Sequence, residues 1–144
     1  MTSSARIDQR CVCYNLRKAA QAVTQYYDQH LQPSGLRASK YSLLLAVSQN
    51  EEISISELGE KTCKDQTTIT RNIEILKKQG YITITRKETD ARKKAICLTE
   101  DGKKKLTEIL HLWREAQTHI QQELGLERLA DFFKTLKMLE QLVK

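Results

Sequence analysis

The segment from residue 66 to residue 72 is rich in side chains that can bind nucleic acid. It contains two amides, three threonine hydroxyls and one guanidinium, and Ile69 within it and Ile73 directly after it have helical spacing. Threonine hydroxyls can contact phosphates, Gln and Asn can pair with adenine, and Arg can pair with guanine. We therefore predict that a helix here contacts the major groove of DNA through Gln66, Thr67, Thr68, Thr70, Arg71 and Asn72.

A second group of cations follows between residues 86 and 94, where Asp90 can hold Arg92 in place. Arg is favoured in narrow minor grooves by their negative potential. The predicted contacts here are Arg86, Arg92, Lys93 and Lys94, next to Lys87. Residues 61–105 contain 13 Lys and Arg against 6 Asp and Glu, a net charge of +7, whereas the other 99 residues contain 11 against 12. The whole excess of the chain's +6 therefore lies in its middle third.

Each feature also has a simpler interpretation. Polar helix faces rich in threonine and hairpins rich in lysine are often only solvated surface. Their combination in one segment favours binding to double-stranded DNA, while a winged module that docks an acidic protein partner without reading DNA sequence stays open as the alternative.

The composition favours a helical, single-domain chain of 144 residues. One Pro and five Gly are few chain breakers, which argues against a β-sandwich or a disordered linker. No apolar run approaches the 18 or so residues of a membrane span, and the first ten residues lack the apolar region of a secretion signal. We expect a cytoplasmic protein with reduced cysteines, no contact with a membrane and no disulfide framework.

Apolar spacing and capping residues predict the elements that position these side chains. The predicted helices span about 7–31, 39–49 with Ser39 as N-cap, 55–62 after a Ser54–Glu57 capping box, 66–79 after the cap Asp65, 100–124 after the cap Thr99, and 127–143. Gly80 and Gly125 end two of these helices. Alternating residues predict two strands, 81–86 and 95–98, which form a hairpin with a charged tip.

A short helix, a tight turn, a longer polar helix and a basic hairpin form the plan of a winged helix-turn-helix. The predicted fold class is therefore mainly α with a small β-hairpin wing. We place the DNA-binding region at about 34–99 of a single chain, 1–144, and long dimerisation helices at about 7–31 and 100–144. One chain cannot bury every apolar helix face, and a seam that seeks a partner is predicted at Leu129, Phe132, Leu136, Leu139 and Val143.

Several motifs resemble the MarR-type (multiple-antibiotic-resistance) regulators. They are ISELG at 55–59, DQTTITR at 65–71, LKKQGYI at 76–82, TDARKK at 89–94 with its D-x-R wing tip, and LTEDG at 98–102. The resemblance covers nearly the whole chain and implies an obligate homodimer on a pseudo-palindromic operator. It also implies that Thr67, Thr68, Thr70, Arg71 and Asn72 face the major groove and that Arg92 enters the minor groove.

Cys11 and Cys13 have three open interpretations: structural small residues, reactive thiols or metal ligands. Two residues that are two apart on a helix point about 200° away from each other, which disfavours chelation and a disulfide between them. Cys13-Tyr14-Asn15-Leu16 resembles the start of the first helix in the family's organic-hydroperoxide sensors, although Arg17 stands where a second tyrosine is expected. We expect Cys63 and Cys97 to be core residues.

The sequence thus predicts a homodimeric, sequence-specific DNA-binding transcriptional regulator. We interpret it as a repressor whose DNA binding is relieved by an effector, either oxidation of Cys13 or Cys11 or a small-molecule ligand. No Ser/His/Asp arrangement, phosphate-binding glycine loop or metal-ligand spacing is evident, so we expect no enzymatic activity, no metal and no cofactor.

Overall fold

The structure is a computed structural model, and it describes residues 6–62, 64–86, 88, 90 and 92–143. Its helices and strands follow in the order α1 (Ile7–Arg10), α2 (Val12–Leu31), α3 (Ala38–Ser48), α4 (Ile55–Thr62), α5 (Gln66–Lys78), β1 (Ile82–Arg86), β2 (Lys94–Leu98), α6 (Glu100–Leu124) and α7 (Leu126–Glu140). Single 3-10 turns follow α2 at Gln32–Ser34 and α7 at Gln141–Val143. Across the described ranges, no helix has the length and apolarity needed to cross a membrane.

The predicted winged helix-turn-helix with long terminal helices is confirmed. Strands β1 and β2 are antiparallel, and their register runs from Ile82 opposite Leu98 to Arg86 opposite Lys94. One buried apolar cluster joins α3, α4 and α5 to this hairpin and to α6. Its fully buried members include Leu43, Leu44, Leu58, Ile69, Ile73, Leu76, Ile96 and Ile109.

The predicted N-termini of α4, α5 and α6 are confirmed by capping hydrogen bonds. The Glu57 N–H donates to Ser54 Oγ at 3.1 Å, and the Ser54 N–H donates back to Glu57 Oε1 at 3.3 Å. Asp65 Oδ1 accepts from the Thr68 N–H at 2.7 Å, and Thr99 Oγ1 accepts from the Gly102 N–H at 3.0 Å. Each pair satisfies a backbone donor that the first helical turn leaves free.

Helix α5 ends in a Schellman motif at Gly80, which has φ +83°. The Tyr81 N–H donates to Leu76 O, and the Gly80 N–H donates to Lys77 O, each at 3.0 Å. Thr99, just before α6, binds this same turn: its Oγ1 donates to Gly80 O at 2.6 Å and its N–H to Tyr81 O at 3.1 Å. The end of α5 is therefore fastened to the start of α6.

The prediction of one continuous helix over 7–31 is wrong, because the chain leaves helical geometry at Cys11 with φ −73° and ψ 119°. Cys11 is the N-cap of α2, and its Sγ accepts a hydrogen bond from the Tyr14 N–H at 3.4 Å. Asn15 Nδ2 spans the break and donates to Asp8 O at 2.9 Å and to Cys11 O at 2.8 Å. The side-chain amide of Asn15 thus joins α2 to α1 across the break.

Ser39 is not the N-cap of α3, contrary to the prediction. Arg37 holds that position, and Asp28 on α2 supplies the capping oxygen by accepting from the Ala38 N–H at 2.7 Å. A further difference is an isolated antiparallel bridge, in which Ile53 pairs with Ile96 of β2 beside the hairpin. Both contacts join residues that are distant in sequence, so local patterns do not show them.

Helices α2 and α6 pack against each other through two tyrosines. The Tyr26 hydroxyl donates to Ala116 O at 2.8 Å, and the Tyr27 hydroxyl donates to Gln117 Oε1 at 2.5 Å. Burial raises the pKa of both hydroxyls. Val12, Leu16 and Val23, by contrast, are exposed on α2 and are not covered by the part of the chain that the structure describes.

Candidate nucleic-acid interface

Helix α5 has one buried and one exposed face. Ile69, Ile73 and Leu76 are buried in the core and fix the rotation of the helix about its axis. The opposite face forms a shallow groove lined by Gln66, Thr67, Thr70, Arg71 and Glu74. This exposed surface, called the α5 face below, presents hydroxyl, amide and guanidinium groups to solvent from a rigid support.

The six side chains predicted on α5 divide between two positions. Four of them, Gln66, Thr67, Thr70 and Arg71, lie on the α5 face. Thr68 and Asn72 are half-buried at its margin, one turn apart. Whether any of the six contacts DNA stays a prediction.

Glu74 is a candidate that the sequence reasoning missed. It lies one turn after Thr70 and Arg71 and lines the same groove. A glutamate carboxylate can accept a hydrogen bond from the N4 amino group of cytosine. The spacing of three and four residues from Arg71 and Thr70 is the signal that would have identified it.

The N-terminus of α5 is held by a charged carboxylate. The backbone and side-chain hydrogen bonds of Thr68 lower the pKa of Asp65, in that order of importance. Asp65 is therefore ionised at neutral pH, and a negative charge at a helix N-terminus is favoured by the helix dipole. This fixes the first turn of α5, which carries Gln66 and Thr67.

The wing presents the predicted cations at the loop end of the hairpin. Arg86 and Lys94 form the last pair of the ladder before the loop, and Arg92, Lys93 and Lys94 are exposed. The expected contact of Asp90 with Arg92 is present: Asp90 Oδ1 accepts from the Arg92 N–H at 3.0 Å and from Arg92 Nε at 3.5 Å. The Arg92 side chain is nonetheless 93% exposed, so it is oriented without being covered.

The wing is also tied to the body of the domain. Glu52 Oε1 accepts from the Glu88 N–H at 2.8 Å, across 36 residues of sequence. Glu52 has φ +52°, an uncommon conformation for a residue other than glycine. No local pattern indicates this contact, which joins the wing to the segment before α4.

The cysteines differ in their surroundings. Cys13, in the first turn of α2, is exposed, whereas Cys11 is half-buried. No cluster of three or more His, Cys, Asp or Glu suited to a metal occurs in the ranges that the structure describes. The expectation that Cys97 is a core residue is wrong, since Cys97 is half-buried with its Sγ 3.9 Å from Thr85 Oγ1. Cys63 lies outside the described residues.

A further groove lies where α2 meets α3. It has a volume of about 510 Å³ and is lined by Gln25, Asp28, Gln29, Gln32, Gly35, Leu36 and Arg37. One of these residues, Asp28, also caps α3. A ligand in this groove would therefore lie against a contact between the long helix and the helix-turn-helix.

Comparisons with known proteins agree with this architecture. A family model described as MarR family matches residues 36–94. The transcriptional regulator SarZ of Staphylococcus epidermidis is 33% identical over 92 residues, which are 64% of this chain and 62% of SarZ, so the chain matches less than two thirds of that relative's length.

Solved structures extend the likeness to the terminal helices. The M. tuberculosis transcriptional regulator MosR, in a crystal structure with DNA, has 32% sequence identity and a TM-score of 0.77 over 94% of this chain and 99% of that chain. The PcaV regulator of Streptomyces coelicolor, solved with its natural ligand, has a TM-score of 0.84 but 17% identity over 95% and 96% of the two chains, and it shows the fold alone. The match to MosR along almost the whole of both chains, the family model and the winged helix together show that this chain belongs to the MarR family.

Proposed function

We propose that the chain is a homodimeric, sequence-specific DNA-binding transcriptional regulator of the cytoplasm, without enzymatic activity. The observation that carries this proposal is the α5 face, which is held by buried Ile69, Ile73 and Leu76 and presents Gln66, Thr67, Thr70 and Arg71. The basic wing supplies a second contact, through Arg86, Arg92, Lys93 and Lys94. The crystallised complex of MosR with DNA supports the same role for this chain.

Two exposed apolar stripes support the homodimer. The first comprises Val12, Leu16 and Val23 on α2, whose spacings of 4, 7 and 11 residues keep them on one helix face; the second comprises Phe132 on α7 and Val143 in the 3-10 turn after α7. Within the described chain nothing covers these side chains. A two-fold dimer would bury them and would place two α5 helices at half-sites about one DNA turn apart.

The wing arginine gives a direct test of DNA binding. We expect Arg92→Ala to weaken binding about tenfold, because it removes an exposed guanidinium that Asp90 orients. Binding would be measured at one salt concentration, on a duplex that the wild-type protein selects from a random library. Arg114→Ala, which removes the same charge from an exposed position on α6, is the matched control and should bind as the wild type does.

Two results would contradict the proposal. One is that the wild-type protein selects no preferred duplex; the other is that Arg92→Ala, Thr67→Ala and Asn72→Ala all bind normally. Either would favour the alternative, a winged module that docks a protein partner.

We further propose that the chain is a repressor that an effector releases from DNA, and that oxidation of Cys13 or Cys11 is one such signal. Exposed Cys13 is the more accessible thiol. Its thiolate would attack an oxygen of an organic hydroperoxide: an S–O bond forms as the O–O bond breaks, the sulfur becomes a sulfenic acid, and the leaving alkoxide takes a proton from water to become an alcohol. Oxidation would change the distance between the two α5 helices of the dimer, and the dimer would then contact only one half-site. A small molecule bound in the groove between α2 and α3 is the other effector we consider.

Cysteine variants test the redox proposal. Treatment with an organic hydroperoxide should add one oxygen atom to the wild-type mass and lower its DNA affinity, and Cys13→Ser should show neither change. Cys11→Ser reports whether the capping thiol takes part, and Cys97→Ser is the control for the half-buried thiol on β2. DNA binding that is unchanged by peroxide in every form of the protein would reject this signal and leave the small-molecule effector.

A further inference from the structure

Two lysines from separate elements lie near Ser39, at the start of the helix-turn-helix. Lys40 is in the first turn of α3, and Lys64 is in the turn between α4 and α5. Lys64 Nζ donates to Ser39 O at 3.2 Å, which brings the ammonium group to the residue next to Lys40. Both lysines are half-buried. Neither position belongs to the DNA-contacting residues predicted from the sequence.

The position of Lys64 is fixed by its backbone as well. Its N–H donates to Gly59 O at 3.2 Å, and a Cβ on Gly59 would lie 3.2 Å from Lys64 O. The glycine therefore lets the turn pack closely on α4. With both ends of Lys64 held, the ammonium group is placed by the fold instead of moving freely in solvent.

The environment of Lys64 disfavours its own charge. Burial first, and the ammonium group of Lys40 second, lower its pKa. A bound anion would compensate both effects, since it would neutralise the two cations and replace lost hydration with a direct contact.

Lys64 lies next to the α5 face. Lys64 and Gln66 line one surface groove, together with Ile55, Ser56, Gly59 and the acidic Glu60. Gln66 also lines the neighbouring groove, which contains Thr67, Thr70 and Arg71. A DNA strand whose bases meet the α5 face would therefore pass close to Lys64.

We propose that Lys40 and Lys64 together bind one backbone phosphate of the DNA, next to the bases that the α5 face contacts. This inference rests on the proposed DNA-binding function and adds two residues to it. A phosphate contact carries no sequence information, but it fixes the register and orientation of the protein on the duplex. Lysine suits this role because its ammonium group acts as a compact point charge.

The salt dependence of binding tests the proposal. The logarithm of the binding constant falls with the logarithm of salt concentration, with a slope of about −0.9 for each phosphate neutralised. We expect the slope of the double variant Lys40→Met, Lys64→Met to be less negative by about 0.9 per protomer, because both lysines bind one phosphate. Its preference for the selected duplex over a random duplex should stay unchanged. Lys64→Arg, which keeps the charge, should keep the wild-type slope.

The control is Lys134→Met, which removes one charge from an exposed position on α7 and should leave the slope unchanged. Thermal melting of every variant shows that the fold is intact. A wild-type slope in the double variant would overturn the phosphate contact, and a loss of two phosphates' share per protomer would overturn the sharing of one phosphate. A wild-type protein that binds duplexes with no sequence preference would instead refute the proposed function, while the slopes on a random duplex would still decide the role of the lysines.

Discussion

Replacing Gly102 with alanine is expected to lower the free energy of unfolding by about 3 kcal/mol. Gly102 is buried in the first turn of α6. A Cβ there would lie 2.0 Å from Tyr81 O and 2.9 Å from Tyr81 C, distances that real Cβ atoms do not adopt. The obstructing atoms belong to the backbone, so no side-chain rotation can relieve the clash.

The sign of this effect is informative because helix propensity acts in the opposite direction. In an open helix, alanine is more stable than glycine by about 1 kcal/mol. At Gly102 that gain is outweighed by the separation of α6 from the turn that ends α5. The same displacement would stretch the hydrogen bonds of Thr99 to Gly80 O and Tyr81 O. The position of α5 relative to α6 should therefore change together with the stability.

Denaturant unfolding of Gly102→Ala and the wild type measures this effect. Gly59→Ala is the matched control, since it also gains helix propensity but meets its nearest backbone atom, Lys64 O, at 3.2 Å. We expect the control to change the free energy of unfolding by less than about 1 kcal/mol. A Gly102→Ala protein as stable as the wild type would show that α6 does not pack directly on Tyr81.

The sequence predicted those parts of the fold that depend on neighbouring residues. The capping interactions of Ser54 with Glu57, of Asp65 with Thr68 and of Thr99 with Gly102 join residues three apart. Such bonds form whenever the residue types and spacing are right, so a pattern indicates them. The separation of α5 into a buried and an exposed face follows in the same way from the spacing of its isoleucines.

The contacts that the sequence did not show are those between distant residues. Asp28 caps α3 from another helix, Glu52 holds the wing, and Lys64 reaches Ser39. The interruption at Cys11 was missed for a different reason: cysteine is not among the preferred capping residues, and a side-chain amide four residues later spans the break. The contacts between distant residues arise only when the chain is folded.

The substitution Phe132→Glu is expected to abolish the homodimer and, with it, tight DNA binding. Phe132 is 47% exposed in the single chain and lies on the same face of α7 as Leu136 and Leu139. Burial of a phenylalanine side chain contributes about 2 kcal/mol. At a two-fold interface the substitution removes that contribution twice and places two carboxylates in an apolar seam, which costs several kcal/mol more.

A monomer would keep its α5 face and wing but would contact only one half-site. Linking two binding modules raises avidity by about 10² to 10⁴, and we expect the affinity of Phe132→Glu for the selected duplex to fall by a factor in that range. Sedimentation equilibrium would report the oligomeric state, and titration of the duplex would report the affinity. The control is Lys134→Glu, two residues further along α7 and about 200° around the helix from Phe132, which should remain dimeric. Because the two measurements are independent, a monomeric variant that binds as tightly as the wild type would show that one half-site suffices. A variant that stays dimeric would instead place the seam on α2, at Val12, Leu16 and Val23.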